Sequence, residues 1–301
     1  MAGPLPALRQ RLPVASQATL ALVLAAFLWG STFLVVQDAT EGAPVMAFLA
    51  ARFLIAAAVL WPLARRRPAS PLEVRHGLMT GSLFLAGYVF QTVGLQYTTS
   101  SSSAFITYLL VVFVPFIDAA VVRRPPGPLV VVGVALAVVG LVLLSGGSSG
   151  FGRGEWLTLG CALCFAAHLV LLDRVTSQHD PLRLTFWQVL TVGAACLLPG
   201  FGSGGFGFGV EVWAAAAFTG IGATAVAVAC MVWAQRVVPP ARTAMLLLLE
   251  PVFAAILGYW AGDRLGGRGF IGAALILGAV LMTELLPMGR GRPVGPRHAD
   301  V

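Results

Sequence analysis

Few side chains in this sequence can do chemistry, and the ones that can sit in apolar surroundings. Glu250 stands against Pro251 inside "LLLLEPVFAAILGYW" (246–260), and Arg52 lies within "FLAARFLIAAAVL" (48–60). Asp118 lies near the end of another apolar run, and His168 follows Cys161 and Cys164 on one helical face. A carboxylate or guanidinium at bilayer depth costs about 2.5–3.5 kcal/mol on insertion scales, so each one that persists needs a partner or a task. The tasks open to Glu250 are holding a proton or meeting a cationic solute. The structural alternative is a fixed Glu250–Arg52 ion pair that ties two helices together.

Pro251 bears on the same question. It removes one backbone donor and disfavours helical geometry at Glu250. The freed carbonyls are tolerated only against protein or in a wet cavity. Pro115 is the corresponding proline of the first half, so Pro115 and Pro251 are expected to kink two related helices around a shared cavity. Trp29 with Thr32, Tyr88 with Gln91, then Tyr108, His168 and Trp233 are the expected wall residues. Such a wall suits an amphipathic or aromatic metabolite, held by apolar contact and a few orienting polar groups. Cys161, Cys164 and His168 lack a fourth ligand nearby, so no metal is expected. The four cysteines fall inside predicted spans and do not form a disulfide framework. No phosphate-loop motif is present, so ATP is not the expected direct energy source, and no cofactor is expected.

These residues need helices to position them, and the composition says in what solvent. Of 301 residues, 58% are hydrophobic and only 10% charged. A soluble domain carries about a quarter charged residues. Apolar runs near the ~20-residue bilayer length recur throughout. They predict an all-α polytopic membrane protein with ten spans, near 18–38, 43–63, 76–96, 102–122, 128–145, 155–172, 182–200, 212–235, 243–261 and 269–286. The first run lacks a cleavage pattern and is read as a span, not a signal peptide. GxxxG spacing at Gly77/Gly81 and Gly258/Gly262 fits close helix packing within the chain as well as dimerisation. Monomer and homodimer both stay open.

All 19 basic residues are arginine. With a cytoplasmic N-terminus, fifteen fall on the inner side, three (Arg153, Arg264, Arg268) on the outer, and Arg52 within a span. That bias places both termini in the cytoplasm, in a plasma membrane of bacterial type. Arginines spread over inner loops face anionic lipid headgroups, so the bilayer is the partner and nucleic acid is not.

The second half tracks the first. Asp38 pairs with Asp173, Pro44 with Pro181, Pro62 with Pro199, Gly81 with Gly220, Gln96 with Gln235 and Pro115 with Pro251, at separations of 135–139 residues. The chain therefore divides into a tail (1–17), a five-helix repeat (18–145), a second repeat (155–286) and a tail (287–301). Five is odd, so the repeats are expected to be inverted, the architecture of an alternating-access carrier.

"LWGSTFLVVQDA" (28–39), "FLAARFLIAAAVL", "YTTSSSSAFITYLLVVFVPFI" (97–117) and the stretch from "WAQRVVPPARTAM" through "LMTEL" (233–285) resemble the EamA branch of the drug/metabolite transporter superfamily. The resemblance implies ten helices in two EamA repeats and export of a metabolite, amino acid or drug, with protons as the candidate coupling ion. Family members often carry Gly-Glu where this chain has Gly262-Asp263, and "RRPPG" (123–127) replaces its counterpart in the first repeat. A facilitative uptake carrier of the same fold is the alternative. An intramembrane enzyme would need a nucleophile–base or metal constellation, which Glu250 and His168 do not make, so no catalytic residue is expected. A channel would show rings of like residues.

Overall fold

The computed structural model describes residues 13–98, 100–145, 152–260 and 266–285; the termini and the Gly262-Asp263 pair lie outside them. The described residues are helical, without strands. In chain order the helices are α1 (Val14–Gly30), α2 (Phe33–Glu41), α3 (Val45–Ala64), α4 (Pro71–Leu95), α5 (Ser100–Tyr108), α6 (Leu110–Val122) and α7 (Pro128–Ser145). They continue as α8 (Arg153–Val175), α9 (Pro181–Gly202), α10 (Val210–Phe218), α11 (Ala227–Ala234), α12 (Pro240–Leu247), α13 (Leu249–Trp260) and α14 (Gly267–Leu285). Among the described residues, seven helical runs are long and apolar enough to cross a membrane, and α1, α7 and α14 supply three shorter apolar helices. Many apolar side chains on the outside of the bundle are bare, including Leu198, Phe201 and Trp260. In water that surface would be a liability; in lipid it is the solvent-facing side.

Three runs expected as single spans are interrupted, each for a local reason. The first breaks between α1 and α2. There the Ser31 hydroxyl donates to the Leu28 carbonyl and the Thr32 hydroxyl to the Trp29 carbonyl, both at 2.8 Å. Adjacent hydroxyls that take backbone acceptors compete with the helical ladder. The fourth breaks between Tyr108 and Leu110, and the ninth at Leu248 between α12 and α13. At Leu248 the cause is Pro251, whose ring crowds the carbonyl four residues back, at Leu247. Pro115 does not match its expected role, because α6 runs through it and the break lies six residues earlier. The two breaks, at Leu109 and Leu248, nevertheless occupy related places in the two halves.

The eighth run holds a feature that its composition does not announce. Between α10 and α11 the chain winds as a π-helix over Thr219–Val226. Such segments carry a surplus residue in the helical ladder and recur at functional sites.

One continuous core joins both halves. α3 packs on α9, α7 on α14, α4 on α8 and α9, and α1 on α11 and α13. Glycines make two close approaches possible, α1 on α13 and the π-segment on α3. A Cβ on Gly30 would lie 2.6 Å from the Glu250 carbonyl oxygen, and one on Gly220 would lie 2.6 Å from the Arg52 carbonyl oxygen. Both charged residues are therefore pressed against neighbouring helices through their backbones.

Candidate functional site

Arg52 enters from α3, seven residues after its start, and is 3% exposed. Its Nε donates to the Thr224 hydroxyl of the π-segment at 2.8 Å, and Nη2 lies 3.5 Å from the Tyr88 hydroxyl. The guanidinium also sits over the Tyr88 and Phe53 rings, 5.1 and 5.5 Å from their centres. Aromatic faces attract a cation, so the arginine is held on three sides by groups that leave its charge unneutralised. Glu250 is 8% exposed, and its carboxyl group lies beside the Tyr108 hydroxyl on the cavity wall. The break at Leu248 sets its depth, because α13 restarts one residue before it.

Both charges face one cavity, with about 90 Å³ open to the centre of a water molecule, room for several waters. The structure brings Trp29, Thr32, Arg52, Tyr88, Gln91, Tyr108, His168 and Glu250 to its wall. The Trp29 indole donates to the Ala223 carbonyl at 2.6 Å, and the Gln91 amide reaches the Thr107 hydroxyl at 3.4 Å. His168 sits 2.7 Å from the Gln188 amide oxygen and stacks on Phe84.

Trp233 does not reach this wall; it is half-buried and packs against the core. Met231 of the same helix lines the cavity instead. Two residues apart on a helix means about 200° apart, so one excludes the other. Arg52 and Glu250 make no direct ion pair among the described residues, although their charges act on each other. The fixed pair that the sequence allowed is therefore not formed. Asp118 is paired elsewhere, with Arg174 at 3.4 Å. No group of three metal-ligating side chains occurs among the described residues, and the Cys161 thiol lies against the Thr107 hydroxyl.

Besides Met231 and Thr107, Phe84, Phe165, Thr224 and the Ala223 carbonyl are contributors that escaped the sequence reading. Phe84 stands one turn before Tyr88, and Phe165 three residues before His168, so both share a face with a residue already singled out. Their rings close the wall around Tyr88, at 4.8 and 5.4 Å. Helical spacing could have found them. Thr224 and the Ala223 carbonyl could not be found that way, since only the π-winding turns them inward.

The opposite end of the bundle is tied shut between the halves. Ser70 caps α4 and Asp180 caps α9, each followed by proline at the first helical position. These caps place Glu73 and Arg183 at the third position of neighbouring helices, where they form an ion pair of 3.0 Å. One turn inward, His76 Nδ1 and His179 Nε2 are 2.7 Å apart. Burial, and then the neighbouring His76, hold the His179 imidazole below its ordinary value; Glu73 opposes this and Arg183 adds to it.

Known proteins are similar to this chain over most of its length. A solved crystal structure superposes with a TM-score of 0.76 at 23% identity, covering 90% of this chain and 97% of that one, which speaks for the fold. An uncharacterized transporter of Archaeoglobus fulgidus is 34% identical over 270 residues, 89% of this chain and 86% of the relative. A second uncharacterized transporter of that organism is 27% identical over 264 residues, 87% of this chain and 94% of the relative. The model of the EamA-like transporter family matches twice, over residues 16–146 and 152–285. With its cavity between the two matched segments, this chain belongs to the EamA-like transporter family and is a multi-pass membrane transporter.

Proposed function

We propose that the protein is a secondary transporter that exports a small metabolite by alternating access between two inverted five-helix repeats. In this reading the chain crosses the plasma membrane ten times, with both termini in the cytoplasm. The observation that carries it is the placement of the cavity. Arg52 comes from the first matched segment and Glu250 from the second, and both face a hollow that neither segment could build alone.

The packing supports the pseudo-symmetry. α3 and α9 hold corresponding places in the two segments and lie together, as do α7 and α14. α4 on α8 is matched by α11 on α1. Glu73–Arg183, His76–His179 and Asp118–Arg174 each join one segment to the other, at the end where α4 and α9 begin. The cavity instead reaches Gln91, Thr92 and Leu95 near the far end of α4. By the arginine distribution the tied end is cytoplasmic, so the fold stands closed inward with its cavity displaced outward. Exchange of the two half-structures would reverse that arrangement. Glu250, the acidic residue in the cavity, is the proton-binding group in this scheme.

The test compares cells with and without the gene by untargeted mass spectrometry of the medium. A solute that accumulates outside only when the protein is present supports export, and accumulation inside supports uptake. Glu250→Gln is expected to insert normally and to change the pH profile of transport. An unchanged profile makes Glu250 a structural residue.

A further inference from the structure

We infer that Gln235 and Thr243 form the polar wall of a second hollow, closed in this conformation, that opens to the cytoplasm and receives N–H or O–H groups of the solute or its water. This deepens the transporter reading and rests on it. The outer part of the cavity is lined by Val36 on α2, Thr92 and Leu95 on α4, and Thr107 on α5. At the separations that relate Asp38 to Asp173, Gln96 to Gln235 and Pro115 to Pro251, these correspond to Leu171, Met231, Ala234 and Thr243. Met231 already stands on the cavity wall, and the other three lie toward the inner ends of α8, α11 and α12.

Related residues sit in opposite surroundings. Gln96 caps the end of α4 and is exposed, whereas Gln235 caps the end of α11 and is buried. Thr107 lines the cavity and takes the Gln91 amide, whereas Thr243 is fully enclosed. Two half-paths in opposite phases of one exchange differ in this way. The closure of the inner half is also visible: α12 packs on α6 and α8, and Asp118 of α6 meets Arg174 of α8 at 3.4 Å.

Unused atoms give the chemistry. The Gln235 amide nitrogen donates to the Leu169 carbonyl at 3.0 Å, which fixes the amide, while Oε1 meets no donor among the described residues. Thr243 Oγ1 is enclosed and unpartnered too, although Thr80, Thr158 and Thr185 each bond a carbonyl four residues back. A buried polar atom without a partner is costly and calls for a cause. A conformation that opens this wall supplies one. An amide oxygen only accepts, so the group that Gln235 receives is an N–H or O–H.

The experiment uses the full-length protein without its four native cysteines, carrying a single cysteine at Gln235, Thr243 or Met245. A membrane-impermeant maleimide is applied to inside-out vesicles. Gln235→Cys and Thr243→Cys are expected to react about ten times faster than Met245→Cys, which lies in the core about 200° round α12 from Thr243. Asp118→Asn should speed both by about twofold to fivefold, since a partly exposed pair holds the mouth weakly. Thr243→Val in the otherwise native chain should melt no lower than the parent protein, because no hydrogen bond is lost. In that variant a roughly tenfold fall in gene-dependent efflux makes the solute the donor, and unchanged efflux makes it water. Labelling of both cysteines no faster than Met245→Cys overturns the inference, as does a lower melting temperature of the valine variant. Gene-dependent efflux that persists beside either result leaves the transporter reading standing. Absence of both labelling and efflux removes both.

Discussion

Glu73 on α4 and Arg183 on α9 meet at 3.0 Å between the two matched segments, with the Glu73 side chain almost fully enclosed. Both sit in the first turn of a capped helix, so the contact forms without rearranging either one. Glu73→Gln is expected to leave Arg183 uncompensated and to shift the balance away from the closed end by about 1–2 kcal/mol, or roughly fivefold to thirtyfold. Labelling of a cysteine at Thr243, in a background lacking the four native cysteines, would report this in inside-out vesicles. Arg183→Gln in the same chain should recover part of the loss, because neither charge is then stranded.

The histidine contact below that ion pair makes the same closure depend on pH. His76 Nδ1 and His179 Nε2 lie 2.7 Å apart with room for a single hydrogen between them, so a proton added at His179 Nε2 would set two N–H groups against each other or remove the acceptor. Because His179 is held below its ordinary value, the tied form binds fewer protons than the separated form. Closure is then complete above the ordinary histidine value near 6.5 and weakens as pH falls through it. Labelling at Thr243→Cys should therefore be faster at pH 5.5 than at pH 7.5. His179→Asn should flatten the difference.

Thr224→Val removes the acceptor for Arg52 Nε and keeps the side-chain shape. A buried donor left unpaired costs about 1–3 kcal/mol. Thermal unfolding in detergent should show the loss, and Thr224→Ser should recover most of it. Equal stability of the valine variant would show that the guanidinium is positioned by its aromatic neighbours alone.

Gly77 and Gly81 belong to the packing of α4 on α9. A Cβ on Gly77 would lie 2.3 Å from the Trp187 Cβ. Gly77→Ala is expected to destabilise the monomer by about 1–3 kcal/mol through overpacking. Trp187→Ala should not rescue it, because the clash is with the Cβ that alanine retains, whereas Trp187→Gly should. Size-exclusion chromatography with light scattering would separate this effect from any change in oligomeric state.

Much of the site was legible because charge and proline are conspicuous in apolar runs. Glu250, Arg52, Tyr88, Tyr108 and His168 all reached one cavity, and Pro251 correctly marked a helix break. Pro115 does not mark its break, because its ring crowds the carbonyl of Val111, already past Leu109 and inside α6. Trp233 misled for a different reason. Its nearness to the inner end of the span does not say which face it takes, and Met231 holds the inward one. The Glu73–Arg183 and His76–His179 contacts were beyond reach, because the sequence separates their members by over a hundred residues and gives no sign that α4 and α9 touch.

The π-winding at Thr219–Val226 sets the phase of every residue behind it in the span. One extra residue in a helical ladder rotates the remainder of the helix by about 100°. Deleting a residue there would turn α11 so that Met231 swings off the wall, while the Thr224 hydroxyl and Ala223 carbonyl fall back into ordinary ladder positions. Arg52 and Trp29 would lose their anchors in the same event. The register of a single helix thus acts as the common datum for both sides of the hollow, and length changes should be tolerated far better in the Gly/Phe loop at 201–209 than in the eight residues that carry it.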